Sequence, residues 1–92
     1  MDFEFYFDPV IHQTHIEKHE VTVLEIYDFF LASRYLEQMR KDDSYIAIGK
    51  LKTGRILEVV YRKKTNNLYY IITAYDLIDH EKVDFLQRYL DV

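Results

Sequence analysis

The fold is decided by residues 45–75, which read YIAIGKLKTGRILEVVYRKKTNNLYYIITAY. Three segments of this stretch, 45–50, 56–63 and 68–75, are rich in β-branched and aromatic residues and are typical of strands. Gly54 in the first connection permits a positive φ, and Asn66 and Asn67 in the second tolerate left-handed backbone. Because both connections are short, the three strands are predicted to pair as antiparallel neighbours.

The residues upstream of this meander predict one strand and two helices. Phenylalanine at positions 3, 5 and 7 alternates with other side chains, as in a half-buried strand. Asp8 and Pro9 suit the N-cap and first position of a helix, so a short helix is predicted from about residue 9 to residue 18. The capping box Thr22-x-x-Glu25 begins a second helix, whose apolar residues recur at helical spacing to about residue 33.

The remaining segments complete an α+β order of elements. A short strand is predicted around residues 35–37, and Asp79 is a suitable N-cap for a last helix that runs to the C-terminus. The order β-α-α-(β)-β-β-β-α favours an α+β fold in which helices pack on an antiparallel sheet. A chain of 92 residues has room for one domain, which is predicted to span 1–92.

The last strand of the meander has apolar residues on both of its predicted faces. Simple alternation places one set of side chains on one face and the intervening set on the other: Tyr69, Ile71, Thr73 and Tyr75 against Leu68, Tyr70, Ile72 and Ala74. A sheet that is apolar on both sides needs cover on both, from its own helices or from a partner chain. The tyrosine-rich surface therefore favours complex formation.

Composition excludes several classes of protein. With no cysteine the chain forms no disulfide and offers no thiol nucleophile or thiolate metal ligand. No apolar run approaches the roughly 20 residues that cross a bilayer, so no membrane segment is expected. The N-terminal residues lack the basic and apolar regions of a signal peptide, so a cytoplasmic location is expected.

Charge is distributed unevenly along the chain. The formal net charge is −4, yet residues 40–64 contain eight Lys and Arg against three Asp and Glu. A cationic hairpin on an acidic body can attract phosphate locally, because salt screens the rest of the charge within about 8 Å. The alternative is that these side chains are simply the solvated edges of two strands.

Residues spread over almost the whole chain match a known family in their order and spacing. The matching blocks are Phe5, Phe7-Asp8, Lys18-His19 with Val21, Glu25, Ile48-Gly49, Gly54-Arg55 with Leu57, Val59-Val60-Tyr61, Ile71-Ile72-Thr73-Ala74 and Glu81. In these residues the chain resembles the BrnT family of toxin–antitoxin ribonucleases, within the wider RelE-like group. The resemblance implies a metal-independent endoribonuclease toxin that needs no cofactor. It also implies neutralisation by a cognate antitoxin protein, often in an assembly of two toxins and two antitoxins. A homodimer or a hetero-oligomer is therefore expected.

Such a ribonuclease needs groups that move protons and cations that stabilise the charge developing on the phosphate. His19 is the candidate acid or base because its imidazole titrates near neutrality, and Tyr75 is a candidate acid or a platform for a base. Arg55 and Arg62 are the candidate phosphate ligands of the catalytic site. Four lysines complete the predicted RNA-binding set: Lys18, Lys50, Lys52 and Lys63.

Structural roles for the same residues support a second hypothesis. His19 can close the first helix, Arg55 can pair with Glu58, and Tyr75 can be half-buried packing. The chain also departs from the BrnT pattern, with tyrosines at 70 and 75 where arginines commonly stand. Further departures are Phe7, where the family usually has tryptophan, and Ile11, Glu20 and Ser44. The missing cations favour a catalytically impaired RelE-like protein that binds protein or RNA.

A third hypothesis concerns the spacing His12-x-x-His15-x-x-x-His19. On a helix over residues 9–18 and its end, the three imidazoles would share one face, and the i, i+4 pair has the spacing of helical zinc sites. The hypothesis of a metal-binding protein depends on that helix, and the alternative is a solvated polar face.

Overall fold

A computed structural model of the chain describes residues 1–91 and contains seven strands and three helices over that range. Their bounds are β1 Asp2–Phe5, β2 Phe7–Asp8, β3 Gln13–Thr14, α1 His15–Lys18, α2 Val23–Leu31, β4 Tyr35–Met39, β5 Tyr45–Lys50, β6 Ile56–Thr65, β7 Leu68–Asp76 and α3 His80–Leu90. The predicted strands of the meander, the short strand before them and the last helix are confirmed within a few residues. Val92, to which the last helix was predicted to run, lies outside the described residues. The α+β class is confirmed as well.

Five strands form one mixed sheet in the order β1-β7-β6-β5-β4. The strands from β4 to β7 pair antiparallel with their successive neighbours, as the short connections predicted. β1 instead pairs in parallel with β7, with Phe5 opposite Ile71, so the prediction of a purely antiparallel sheet is wrong. No tight turn fixes the direction of β1, because a long stretch of chain separates it from β7.

The segment between β1 and α2 differs from its prediction. β1 ends at Phe5, and the next residues form a small hairpin in which β2 pairs with β3. The Asp8 carboxylate accepts a hydrogen bond from the Val10 N–H at 2.9 Å, so Asp8 stabilises a turn instead of capping a helix. Thr14 is the N-cap of α1, which begins at His15. The predicted helix over residues 9–18 is therefore wrong for its first half.

The predicted start of α2 is confirmed. The Thr22 hydroxyl accepts a hydrogen bond from the Glu25 N–H, and the Glu25 carboxylate accepts one from the Thr22 N–H. This capping box gives acceptors to two backbone N–H groups that the start of the helix would otherwise leave unpaired. α2 ends at Leu31, two residues before the predicted end.

A bulge in β7 changes which of its side chains share a face. Tyr61 lies opposite Ile71 and Val60 lies opposite Thr73, so Ile72 is an extra residue in the ladder. Beyond this point the alternation is shifted by one residue. Ala74 joins the face of Ile71, and the predicted grouping of Thr73 and Tyr75 with Tyr69 is wrong.

The two predicted turns have different backbones. Gly54 has a φ of 96°, which confirms the expected need for glycine there. Asn66 and Asn67 connect Thr65 to Leu68 as a tight hairpin, but neither asparagine has a positive φ, so that part of the prediction is wrong. A register shift between Lys63 and Thr65 accompanies this turn.

Helices cover the two faces of the sheet unequally. We call the side that carries Leu57, Val59 and Tyr61 the core face, and the side that carries Glu58 and Arg62 the α3 face. Residues of α1 and α2 join the core face in one hydrophobic cluster, which contains Ile16, Val21, Ile26, Phe29, Phe30, Ala47, Leu51, Leu57, Val59, Tyr61, Tyr69, Ile71 and Ala74. The other side is covered by α3, whose Leu86 is fully buried.

Candidate functional site

The predicted site residues lie in several parts of the fold. Arg55 immediately precedes β6, and Arg62 lies near the other end of this strand. At about 3.3 Å per residue the two Cα atoms are separated by roughly 20 Å. Arg55, His19 and Tyr75 lie near one another, where the end of α1 meets the end of β7.

Arg55 uses all five of its N–H donors within the chain. Nε donates to Asp76 Oδ1 at 2.7 Å, and Nη1 donates to the Glu20 carbonyl and to Glu25 Oε1, both at 2.9 Å. Nη2 donates to the His19 carbonyl and to Asp76 Oδ2, both at 3.4 Å. We call this set of five residues the Arg55 cluster. It joins the end of α1, the start of α2 and the end of β7.

The charges of the Arg55 cluster stabilise one another. The hydrogen bond with Asp76 raises the pKa of Arg55 and lowers the pKa of Asp76. Burial acts to raise the pKa of Glu25, but hydrogen bonds from the Thr22 N–H and from Arg55 lower it overall. Two carboxylates face one guanidinium, so the cluster has a negative net charge at neutral pH. That charge repels a phosphate group.

Tyr75 links His19 to a buried carboxylate on the α3 face. The rings of Tyr75 and His19 meet edge to face, with centroids 5.7 Å apart. The Tyr75 hydroxyl donates to Glu58 Oε2, while the Lys82 ammonium donates to Glu58 Oε1 at 3.0 Å. Burial and the bond to Glu58 raise the pKa of Tyr75 to about 12, which makes the hydroxyl a weak acid at neutral pH. Since Glu58 binds Tyr75 and Lys82, the suggested Arg55–Glu58 pair is wrong.

The position of His19 agrees with the alternative that it closes the first helix. His19 is the C-cap of α1, and its N–H donates to the Ile16 carbonyl at 3.1 Å. Tyr75 is half-buried, as its alternative interpretation required.

The cations further along β6 have acidic partners of their own. Arg62 donates to the Asp42 carbonyl at 2.8 Å and contacts the Asp42 carboxylate at 3.4 Å. Lys63 points to the opposite face, where its ammonium binds Glu37 at 2.7 Å and lies 4.2 Å from the centre of the Tyr45 ring. Arg62 and Lys63 therefore belong to separate surfaces.

The three other predicted RNA-binding lysines lie at the ends of two elements and in a turn. Lys18 is the exposed last residue of α1, and Lys50 is the half-buried last residue of β5. Lys52 is exposed in the turn after β5, where its N–H donates to the Asp28 carboxylate at 3.2 Å.

The three histidines do not share a helix face, so the premise of the metal hypothesis is wrong. His12 lies in the β2–β3 turn with a φ of 54°, and His15 is the first residue of α1, with Nε2 3.3 Å from Asp8 Oδ2. His19 ends the same short helix. Within residues 1–91 there is no group of three potential metal ligands arranged to hold an ion.

A groove between α3 and the edge of the sheet was not predicted from the sequence. It has a volume of about 510 Å³ and is lined by Leu36, Glu37, Gln38, Ile46, Ile48, Glu58, Glu81, Lys82 and Phe85. Glu58 is only 6% exposed. One sequence signal could have indicated a polar contact on this face of β6. Glu58 is a single carboxylate within the apolar run Leu57-Glu58-Val59-Val60, and a buried carboxylate needs a partner.

Within residues 1–91, α1, α2 and α3 are each too short or too polar to cross a bilayer. A scan against protein-family models found no match to the chain, and searches of the curated proteins and of the solved structures found none either.

Proposed function

We propose that this chain is a cytoplasmic protein-binding module with a RelE-like order of elements and without effective ribonuclease catalysis. The observation that carries the proposal is the Arg55 cluster. Arg55 is a predicted phosphate ligand that lies beside the candidate acid or base His19, and every one of its donors is already bound to a carboxylate or a carbonyl. A phosphate would have to displace Asp76 or Glu25 from it.

The distribution of the other cations supports the same proposal. Arg62 and Lys63 each contact an acidic residue, and they lie on opposite faces of β6. Stabilisation of a phosphorane needs several donors aimed at one point. These side chains supply donors at separate points, each close to a negative charge.

The exposed side of α2 favours a protein over an RNA as the partner. Both carboxylates of the helix, Glu25 and Asp28, are bound within the chain. Leu24 and Leu31 remain 80% and 57% exposed. Large apolar side chains exposed on a helix are normally covered by another surface, and α2 contains no Lys or Arg that could bind a phosphate backbone.

A test of the proposal measures RNA cleavage and growth together. We expect the purified chain to leave labelled single-stranded RNA intact, and its induction in a bacterial host to leave growth unchanged. The Arg55→Ala/Arg62→Ala variant is expected to behave in the same way. Co-expression with the product of the adjacent reading frame is expected to give a complex that co-elutes on size exclusion.

The second candidate function is the metal-independent endoribonuclease toxin of a BrnT-like system, with a cognate antitoxin. The contact between the His19 and Tyr75 rings favours it, since two groups able to move protons lie side by side. Growth arrest by the wild type, lost in His19→Ala at equal thermal stability, would establish this function and refute the first.

A further inference from the structure

In the part of the chain that the structure describes, β4 is an edge strand, and its backbone groups on one side have no neighbouring strand. The Arg40 N–H donates to the Ser44 carbonyl at 2.7 Å, so the backbone groups of Arg40 point toward the β5 side of β4. Bonding direction alternates along an antiparallel ladder. The N–H and C=O groups of Tyr35, Glu37 and Met39 therefore point away from β5, to the open edge.

The groove under α3 begins directly beside this edge. Leu36 and Gln38 are the residues of β4 that face it, and Ile46 and Ile48 of β5 form its floor. Phe85 of α3 forms part of the opposite wall and is 57% exposed. A strand added to β4 would place every second side chain over this groove.

We propose that an extended segment of a partner protein binds as a sixth strand along β4 and inserts alternate apolar side chains into the groove under α3. This inference rests on the proposed protein-binding function and names a second binding surface, apart from the exposed side of α2. Backbone hydrogen bonds to Tyr35, Glu37 and Met39 hold the segment, and the groove selects its side chains.

The volume of the groove favours a different protein over a second copy of the chain. A second copy paired through its β4 would bring only Leu36 and Gln38 to this face. The α3 of that copy would lie over its own sheet and would not reach this groove. About 510 Å³ beside Phe85 would then remain unfilled. A segment with larger apolar side chains at alternate positions fills that space, which is the usual requirement at an interface core.

The charges around the groove define the partner segment further. Three carboxylates line it, those of Glu37, Glu58 and Glu81. Lys63 already binds Glu37, and Lys82 already binds Glu58. The remaining carboxylate is that of Glu81, on the exposed first turn of α3. The segment is therefore expected to carry a lysine or arginine at the end that reaches α3, where it can pair with Glu81.

The experiment selects ten-residue random peptides by display on the full-length chain and measures the best synthetic peptide by fluorescence anisotropy. Met39→Pro removes an N–H that points to the open edge, whereas Met39→Ala keeps it, and the Met39 side chain is exposed. We expect Met39→Pro to weaken binding roughly tenfold and Met39→Ala by less than twofold. Phe85→Ala is expected to weaken binding to a similar degree through the groove.

Amide hydrogen exchange supplies the direct readout. Peptide binding is expected to slow exchange at residues 35, 37 and 39 and to leave α2 unchanged. Failure to select any peptide, protection confined to α2, or equal affinity for Met39→Pro and Met39→Ala would each overturn the proposal. Dimerisation of the wild type that Met39→Pro abolishes would replace the partner segment with a second copy.

The two proposals fail in different ways. A complex with the adjacent gene product that survives Met39→Pro unchanged refutes the β4 site and leaves the binding function intact. RNA cleavage that depends on His19 refutes the function itself, whatever binds to β4.

Discussion

Arg55 shows how far a residue's role can be predicted from its type. The sequence indicated a cation near the turn before β6, and Arg55 is there, close to His19 as the phosphate site required. Its partners were not predictable, because Glu25 and Asp76 are distant in sequence and only the folded chain brings them together. Two carboxylates convert a candidate phosphate ligand into the centre of an ion-pair network.

The Arg55 cluster makes stability depend on pH. The pKa values of Glu25 and Asp76 are below their ordinary values of 4.5 and 3.8 in the folded chain, so the network stabilises the fold above these values. That stability is lost as the pH falls through the lower folded-state values. We expect Arg55→Gln to lose about 1–2 kcal/mol at pH 7, since Asp76 is largely exposed and screened.

Chemical denaturation of both proteins between pH 7 and pH 3 checks this expectation. The difference in the free energy of unfolding between wild type and Arg55→Gln should shrink as the carboxylates become protonated. A difference that stays constant over the range would mean that Arg55 acts through its carbonyl contacts alone.

Gly49 is a residue whose role depends on a neighbour that the sequence does not reveal. An added Cβ would lie 2.8 Å from Phe29 Cε2 and 3.0 Å from Tyr35 Cβ. Phe29 is fully buried, so it has little room to move. We expect Gly49→Ala to lower the free energy of unfolding by about 1–3 kcal/mol, measured in urea. The exposed Met39→Ala serves as a control that should change it by less than about 0.5 kcal/mol.

At the scale of the elements, the sequence predicted correctly those helix starts and strands that depend on residues close together in the chain. The capping box of α2, the Asp79 cap of α3 and the strands of the meander were all predictable, because each depends on residues a few positions apart. The β2–β3 hairpin was not, since Asp8-Pro9 is compatible with both a helix start and a turn. The bulge at Ile72 was not either, because counting alternate residues assumes an unbroken ladder.

The N-cap of α2 gives a test at this scale. Thr22→Ala removes the side-chain acceptor of the Glu25 N–H, and we expect it to lower the free energy of unfolding by about 1 kcal/mol. Thr22→Ser retains the hydroxyl and should lose less than half of that. Because the Glu25 carboxylate also binds Arg55, the double variant Thr22→Ala/Arg55→Gln should be less destabilised than the sum of its parts.

At the scale of the whole molecule, the need for cover on both faces of the sheet was predictable from its apolar alternation. Which element covers each face could not be predicted. The parallel pairing of β1 and the face on which α3 packs are determined by contacts between residues distant in sequence. α3 is joined to the sheet by the bond between Lys82 and Glu58, and its Leu86 is fully buried. α3 leaves the groove beside β4 uncovered, and this groove is the surface that we propose binds a partner segment.

Substitutions at the adjacent residues Leu86 and Phe85 test two roles of α3 separately. Leu86 tests how α3 is attached to the protein, and Phe85 tests the wall of the groove. Leu86 is fully buried whereas Phe85 is 57% exposed. We expect Leu86→Ala to lower the free energy of unfolding by about 2–4 kcal/mol, and Phe85→Ala by less than about 1 kcal/mol. In Leu86→Ala, amide exchange should accelerate in α3 before it does in β6, and binding of a hydrophobic dye should increase. Equal losses in the two variants would mean that α3 does not rest on the sheet through Leu86, and the groove would then have no fixed wall.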